Sequence, residues 1–251
     1  MTVTMTASDR DLRTLARIVS DDRCDLPAEG LAPSLLSDLS DLIRCDCVAF
    51  AGLDSARQVH WFMQVAPVEA DDGDDDTAFW AHYWNSSCSH ADRTGDLRSI
   101  TKISDFYSAR QWHSTGMYSD CLRDVEHEIV VCLPAGPGRT AGPGPTLRLV
   151  FARGPGPDFS DRDRDLLTLL RPHLHQAYLD AERHRHGVPR LTRRHWELLR
   201  LVAAGHTNSQ IARRLGVSEG TVRIHLQNIY ARLHVSSRTA AVTRAFPDRD
   251  V

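Results

Sequence analysis

The chain has 251 residues, a formal net charge of −3, and 41% hydrophobic and 25% charged residues, the balance of a soluble globular protein with material for one large or two modest domains. No apolar run approaches the roughly 20 residues of a membrane span, and the opening MTVTMTASDRD lacks the basic start and apolar core of a secretory signal. The expectation is a cytoplasmic protein that does not enter the membrane and whose six cysteines stay reduced. Charge is divided unevenly. Residues 189–251 hold eleven arginines against four acidic residues, a net of +7, which leaves −10 for residues 1–188. A small basic part joined to an acidic one fits phosphate contact by one part only.

In chain order, residues 9–20 and 33–43 read as helices. Residues 47–51 and 58–65 read as two strands, with a turn at 52–56 where glycine falls. The DDGDDD run at 71–76 reads as a solvated loop, and 76–85 as a helix. A short strand is expected at 99–103 and a short helix at 104–112. Residues 128–133 and 147–152 run apolar, as core strands do. Between them AGPGRTAGPGP is a hairpin loop rich in proline and glycine. Ser160 is placed to cap a long helix over 160–183, whose apolar positions are Leu166, Leu167, Leu169, Leu170, Leu174, Ala177 and Tyr178. Pro172 is a place for a kink. HRHGVPR, at 184–190, reads as a linker.

Several tempting sites in this first part carry little. Residues 61–118 hold 10 of the 17 aromatic residues. Aromatic-lined cavities suit small organic ligands, but Phe79, Trp80, Tyr83 and Trp84 sit at helical spacing, which favours a core. Cys45 and Cys47 share one face of an extended segment, and Cys88 and His90 lie close in sequence. No paired C-x-x-C supports a metal or redox centre, so no cofactor and no metal is expected. His82, His90 and His113 are scattered. The acidic run lacks the alternating ligands of a calcium loop. There is no G-x-S-x-G elbow, P-loop or dinucleotide fingerprint, and the chain does not read as an enzyme. A phosphoacceptor receiver would want an early strand ending in paired acids, whereas Asp21 and Asp22 follow a helix.

Residues 191–242 say the most. Thr207 can cap a short helix through Gln210, Ile211, Ala212 and Leu215, and Gly216 can end it in the left-handed conformation. Ser218 can cap a longer helix to about Leu233. A short helix, a glycine turn and a longer helix are the parts of a helix-turn-helix, whose second helix enters the major groove. On that longer helix Val222, Leu226, Ile229 and Leu233 are spaced 4, 3 and 4 apart and share the packed face. Ile224, Gln227 and Ala231 point the other way, with Asn228 beside them and Arg223, His225 and Arg232 on the flanks. An outward isoleucine between arginine and glutamine suits base edges. Ile224 matches a thymine methyl, Gln227 an adenine, and Arg223 a guanine or a phosphate.

This segment resembles the LuxR-type helix-turn-helix domain of bacterial transcription regulators. The residues that match are Leu191, Thr192, Arg194, Glu197, Leu199, Ala204, Gly205, Asn208, Ile211, Ala212, Leu215, Val217, Ser218, Thr221, Val222, Arg223, His225, Asn228, Ile229, Leu233, Val235 and Arg238. The resemblance implies a four-helix unit with the recognition helix at 218–233 and a dimerising helix at about 237–245. There Ala241, with Thr239 and Val242, offers a small surface for close helix approach. It puts Arg223, Ile224 and Gln227 on base-facing positions and makes Thr207, Asn208, Thr221, Arg232 and Arg238 phosphate contacts. One departure is His195, where the family usually has the Glu that would complete a capping box with Thr192.

The stretch at 147–178, with its F-x-R turn and DFS-x-x-DR cap, resembles the end of the GAF-like domain of many actinobacterial LuxR-type regulators. PAS-like domains are close in shape. The expected fold is therefore an α+β GAF-like or PAS-like sensor and dimerisation domain at 1–183, a linker at 184–190 and an all-α helix-turn-helix domain at 191–251. The expected function is a dimeric, sequence-specific transcription regulator. Its partners would be operator DNA, a second copy of itself, an unidentified small-molecule effector or protein, and RNA polymerase. The alternative is a metal- or thiol-based redox sensor, or an enzyme domain, fused to a DNA-binding module.

Overall fold

The computed structural model describes residues 9–20, 25, 27–67, 76–136, 142–185 and 191–246. It divides into two compact units, one ending at Tyr178 and one beginning at Leu179. Among the described residues no helix is long and apolar enough to cross a membrane.

The first unit opens with α1 (Asp9–Val19), whose buried residues Asp11, Thr14 and Ile18 fall on one face. Helix α2 (Pro33–Ile43) starts at a proline, which the first turn tolerates, and buries Leu35, Leu36, Leu39, Leu42 and Ile43. Strands β1 (Cys47–Asp54) and β2 (Val59–Ala66) follow. After them come short helices α3 (Thr77–His82) and α4 (His90–Thr94), strand β3 (Thr101–Lys102), helices α5 (Ala109–His113) and α6 (Gly116–Asp120), and strands β4 (His127–Pro134) and β5 (Pro145–Arg153). The sheet is antiparallel, in the order β2-β1-β5-β4-β3. Helix α7 (Asp161–Arg185) closes the unit and continues past its end.

One sheet face is apolar. Val48, Phe50, Ile129, Val131, Leu133, Leu147, Leu149 and Phe151 alternate along their strands and are nearly fully buried. Helix α7 covers this face. Tyr178 stacks on Phe62 (centroids 6.3 Å apart) and meets Phe50 edge-on (5.7 Å). The F-x-R turn has a structural use. Arg153 donates to the Ile43 and Arg44 carbonyls, orphan acceptors at the end of α2, and its guanidinium lies 4.0 Å over the Phe159 ring. Ser160 and Asp163 exchange hydrogen bonds (Ser160 N–H to Asp163 2.9 Å, Asp163 N–H to Ser160 3.3 Å), which starts α7 with a capping box. The helix runs on through Pro172 and takes in His184 and Arg185, the first two residues of the expected linker. The rest of that linker and most of the acidic loop lie outside the described residues.

Three local expectations change. Gly52 is not in a turn; it sits inside β1 because the Trp61 indole lies on it. A Cβ there would come within 2.2 Å of Trp61 Cε2. The register slips at this point, since Gly52 pairs with Phe62 and Leu53 with His60, leaving Trp61 as a bulge. The single helix expected at 104–112 is split. Asp105 ends a 3₁₀ turn over Ile103–Asp105, and Ser108 then begins α5 with its own capping box. Thr115 caps a further helix, α6, that apolar periodicity did not suggest.

The other sheet face buries polar groups beneath α3 and α4. Arg148 on β5 pairs with Asp92 on α4 at 3.0 Å, and the Tyr83 hydroxyl donates to the same carboxylate. All three residues are at most 2% exposed. Arg148 Nε and Nη1, and the Thr146 hydroxyl two residues away on the same strand face, have no hydrogen-bond partner among the described residues. Glu128 on β4 is also buried and accepts from the Cys88 thiol at 3.5 Å. Burial pushes its carboxyl up to about 7, against the lowering pull of hydrogen bonds from Cys88 and Ser87.

Removing one partner of a buried ion pair strands the other charge. Asp92→Ala should therefore cost about 3–5 kcal/mol of stability, and adding Arg148→Met should recover most of it. Denaturant melts of the single and double variants check this. Glu128 has the opposite sign from a surface carboxylate. The unfolded chain ionises it near 4.5 and the folded one near 7, so its cost to stability grows as pH rises through that window and is complete above it. Glu128→Gln should raise the melting temperature by roughly 5 °C at pH 8 and leave it unchanged at pH 4. Equal shifts at both pH values would contradict the assignment.

Candidate nucleic-acid interface

The second unit is built from α8 (Arg193–Ala203), α9 (Asn208–Leu215), α10 (Glu219–Leu233) and α11 (Arg238–Ala245). Each begins with a hydroxyl residue that accepts a backbone N–H of the first turn. Thr192 accepts from His195, Thr207 from Gln210, Ser218 from Thr221 and Ser237 from Ala240. Gln210 returns the bond to Thr207 N–H at 2.8 Å, completing a capping box. Gly216 ends α9 in the left-handed conformation, φ 66°. The turn from α9 to α10 is thus three residues long, 216–218, and both of its ends are set by sequence.

The core of this unit joins all four helices. Trp196, Leu198, Leu199 and Val202 of α8 pack with Ile211 and Ala212 of α9, Val222, Leu226, Ile229 and Leu233 of α10, and Ala241 and Ala245 of α11. Ala241 is fully buried within this unit's own core. The Ala241 part of the small surface expected to face a second copy is therefore already occupied within the unit, while Thr239 is exposed and Val242 half-buried.

With one side of α10 buried, the other is displayed. Arg223, Ile224, Gln227, Asn228, Ala231 and Arg232 are exposed, and Ile224 is 60% exposed, a large apolar side chain in the middle of a polar face. Arg223 reaches back toward Glu219 at 3.9 Å, both exposed, a weak pair that leaves the guanidinium adjustable. Thr221 is half-buried in the first turn, with its hydroxyl 2.8 Å from that of Ser218. Thr207 is exposed at the start of α9. Asn208 beside it is half-buried and accepts from Arg238 Nη1 at 3.3 Å, while Arg238 Nη2 donates to the His206 carbonyl. Arg238 is thus the strap that holds the start of α11 to the start of α9. Sequence reading gave it only a contact with DNA. Two of its five N–H donors are spent within the protein.

Two further residues shape the face without lying on it. Arg194 pairs with Glu197 at 2.7 Å and donates to the Leu215 carbonyl at 3.1 Å, satisfying an orphan acceptor at the end of α9. His195 is buried beneath α10, its ring centroid 6.0 Å from that of His225. Burial, with Arg232 and His225 alongside, holds its imidazole below the usual histidine range. No group of three or more His, Cys, Asp or Glu among the described residues is arranged to hold a metal ion.

The model of the bacterial regulatory proteins of the luxR family matches residues 189–245. A curated relative, a probable transcriptional regulatory protein SgaR of Hyphomicrobium methylovorum, is 42% identical over 78 residues, which are 31% of this chain; the match spans only 37% of that relative's length. Among solved structures, SdiA of Escherichia coli is 16% identical with a TM-score of 0.39, covering 94% of this chain and 95% of its own. The VqsR LBD domain of Pseudomonas aeruginosa is 15% identical with a TM-score of 0.47, covering 68% of this chain and 98% of its own. At TM-scores below 0.5 these last two likenesses carry no weight for fold or function.

The buried position of Ala241 makes a direct test of this geometry. Ala241→Glu should place an unpaired charge in a tight core and unfold the second unit, read as loss of helical signal and of duplex binding together. A folded variant that merely fails to dimerise would return Ala241 to an intermolecular surface. The match over 189–245, the glycine-punctuated turn and the two-sided α10 agree, and the second unit is a LuxR-family helix-turn-helix domain.

Proposed function

We propose that this protein is a sequence-specific DNA-binding transcription regulator that reads its operator with α10. The observation that carries this is the outward face of that helix, where exposed Ile224 sits between Arg223 and Gln227 while the opposite side is sealed in the core. Against a major groove, Ile224 contacts a thymine methyl, Gln227 pairs with adenine, and Arg223 takes guanine or a phosphate. Thr207, Asn208, Thr221, Arg232 and Arg238 lie at helix starts or on the flank of α10, and are assigned to the phosphate backbone, which fixes register. The net charge of +7 at 189–251 supports the same reading.

One such unit makes few base contacts, so the working form is a homodimer on two half-sites about one DNA turn apart. Residues 1–183, which take in the first unit and the next five residues of α7, are assigned as a GAF-like or PAS-like sensor. Their order of helices, two strands, helices, strands and a closing helix supports that. The unpartnered donors of Arg148 and the Thr146 hydroxyl are suited to a small molecule with acceptor atoms, though a protein signal serves the same role. Sensing would shift the dimer between geometries that do and do not present both reading helices. The protein is placed in the cytoplasm, with RNA polymerase as a further partner, and no catalytic role is assigned. A thiol-based redox sensor finds no support in Cys45, pushed up to about 11 by burial, or in Cys88 and Cys132, also raised by burial. Thiols held protonated are poor nucleophiles and poor metal ligands.

Two substitutions separate base reading from backbone contact. Gln227→Ala should lose discrimination at one operator position, by about 1–3 kcal/mol against the preferred base. Arg232→Ala should weaken binding to all sequences alike and reduce the salt slope by about one phosphate. Titrations of specific and random duplexes at several salt concentrations check both, and equal effects of the two changes would overturn the assignment of roles.

A further inference from the structure

Most of the second unit's polar groups find partners or face solvent. The Nδ1 atom of His195 does neither. His195 lies at the third position of α8, in the first turn, at the positive end of the helix dipole. Its residue is 7% exposed, and its Nδ1 is buried without a hydrogen-bond partner. The charged and titratable groups facing it come from α10, and both are basic: Arg232, and His225, whose ring stands edge-on to the His195 ring. On its own helix, Glu197 is engaged by Arg194 at 2.7 Å. Among the described residues no carboxylate faces it.

Arg232, a second imidazole on His225 and the positive end of the α8 dipole thus lie around an imidazole that burial already favours in its neutral form. A proton on His195 would be repelled by Arg232, by His225 and by the start of α8 itself, with no acid to receive it. The repulsion acts across the contact between α8 and α10, and α10 carries Ile224 and Gln227 on its far side. Moving α10 by even a fraction of a turn would misplace those side chains against base edges.

We propose that His195 is a positioning residue for the DNA-reading helix, and that its protonation on acidification loosens α10 and releases DNA. This rests on the reading of α10 as the DNA-binding helix. The unfolded chain takes up the proton near the ordinary 6.5, and the folded one only at lower pH. The contribution to stability is therefore complete above about 6.5 and is lost as pH falls through the folded value.

The test uses the full chain and a fluorescein-labelled 30-base-pair duplex of mixed sequence, with anisotropy titrations and thermal melts from pH 7.5 to 5.5. Wild type is compared with His195→Gln, which keeps a polar group of similar size but cannot titrate, and with His225→Gln. The expected result is that the ratio of wild-type to His195→Gln affinity falls as pH drops across this range. Wild type should also lose more melting temperature than His195→Gln, and His225→Gln should keep the acid loss. Parallel pH profiles for wild type and His195→Gln would overturn the proposal. If His195→Gln does not fold, proton NMR of the wild-type His195 ring decides. A midpoint below 6.5 that coincides with duplex release supports the proposal, and a midpoint at or above 6.5 overturns it. Failure of every form to bind duplex at pH 7.5 would overturn the DNA-binding reading itself, and the melting profiles would still report separately whether acid parts α8 from α10.

Discussion

The second unit depends on the burial of one side of α10. Val222, Leu226, Ile229 and Leu233 are each at most 4% exposed, and they join all the other helices of the unit into one core. Because a helix turns about 100° per residue, sealing those four positions leaves no freedom in where 223, 224, 227 and 228 point. The display of the outward face follows from packing, with the side chains on that face contributing nothing to it. That separation lets the outward residues vary while the unit stays folded. The caps at Thr207, Ser218 and Ser237, the left-handed Gly216 and the Arg238 strap then fix how α9 and α11 approach α10.

The first unit solves a different problem. One side of its sheet is an ordinary apolar layer closed by α7. The other buries a guanidinium, two carboxyl groups and a phenol, which is an expensive way to build a core. Arg148 and Asp92 compensate each other, while Glu128 is kept closer to neutral by its surroundings. A layer that holds polar groups in low dielectric responds strongly to anything that adds or removes a hydrogen bond there. This polar layer sits on the side of the sheet away from α7.

Much of this was legible from residues, and the failures have local causes. The helix-turn-helix was readable because its punctuation is short-range: a hydroxyl at each start, a glycine at the turn, and a 3–4 spacing between them. The strands at 128–133 and 147–152 were readable because one face is wholly apolar and the other is interrupted only by Glu128 and Arg148. Gly52 misled because glycine marks both turns and close approaches, and only the position of Trp61 decides between them. The helices at 109–113 and 116–120 are too short for periodicity to register, and their caps at Ser108 and Thr115 become informative only beside the turns they close. Ala241 was read as a surface between copies because small residues allow close approach of any helix, and sequence does not say whose. The setting of His195 was hidden for a related reason. A missing capping partner is visible in sequence, but the basic groups that face it come from thirty to thirty-seven residues further along the chain.

The most direct test of DNA recognition through α10 is selection of bound duplexes from a random-sequence library by the purified full-length chain, followed by sequencing. Recognition by two copies of α10 predicts enrichment of a two-fold repeated motif with half-site centres about 10 base pairs apart, or a multiple of that spacing. A selected pool indistinguishable from the input, under conditions where the protein is folded and binds duplex, would contradict it.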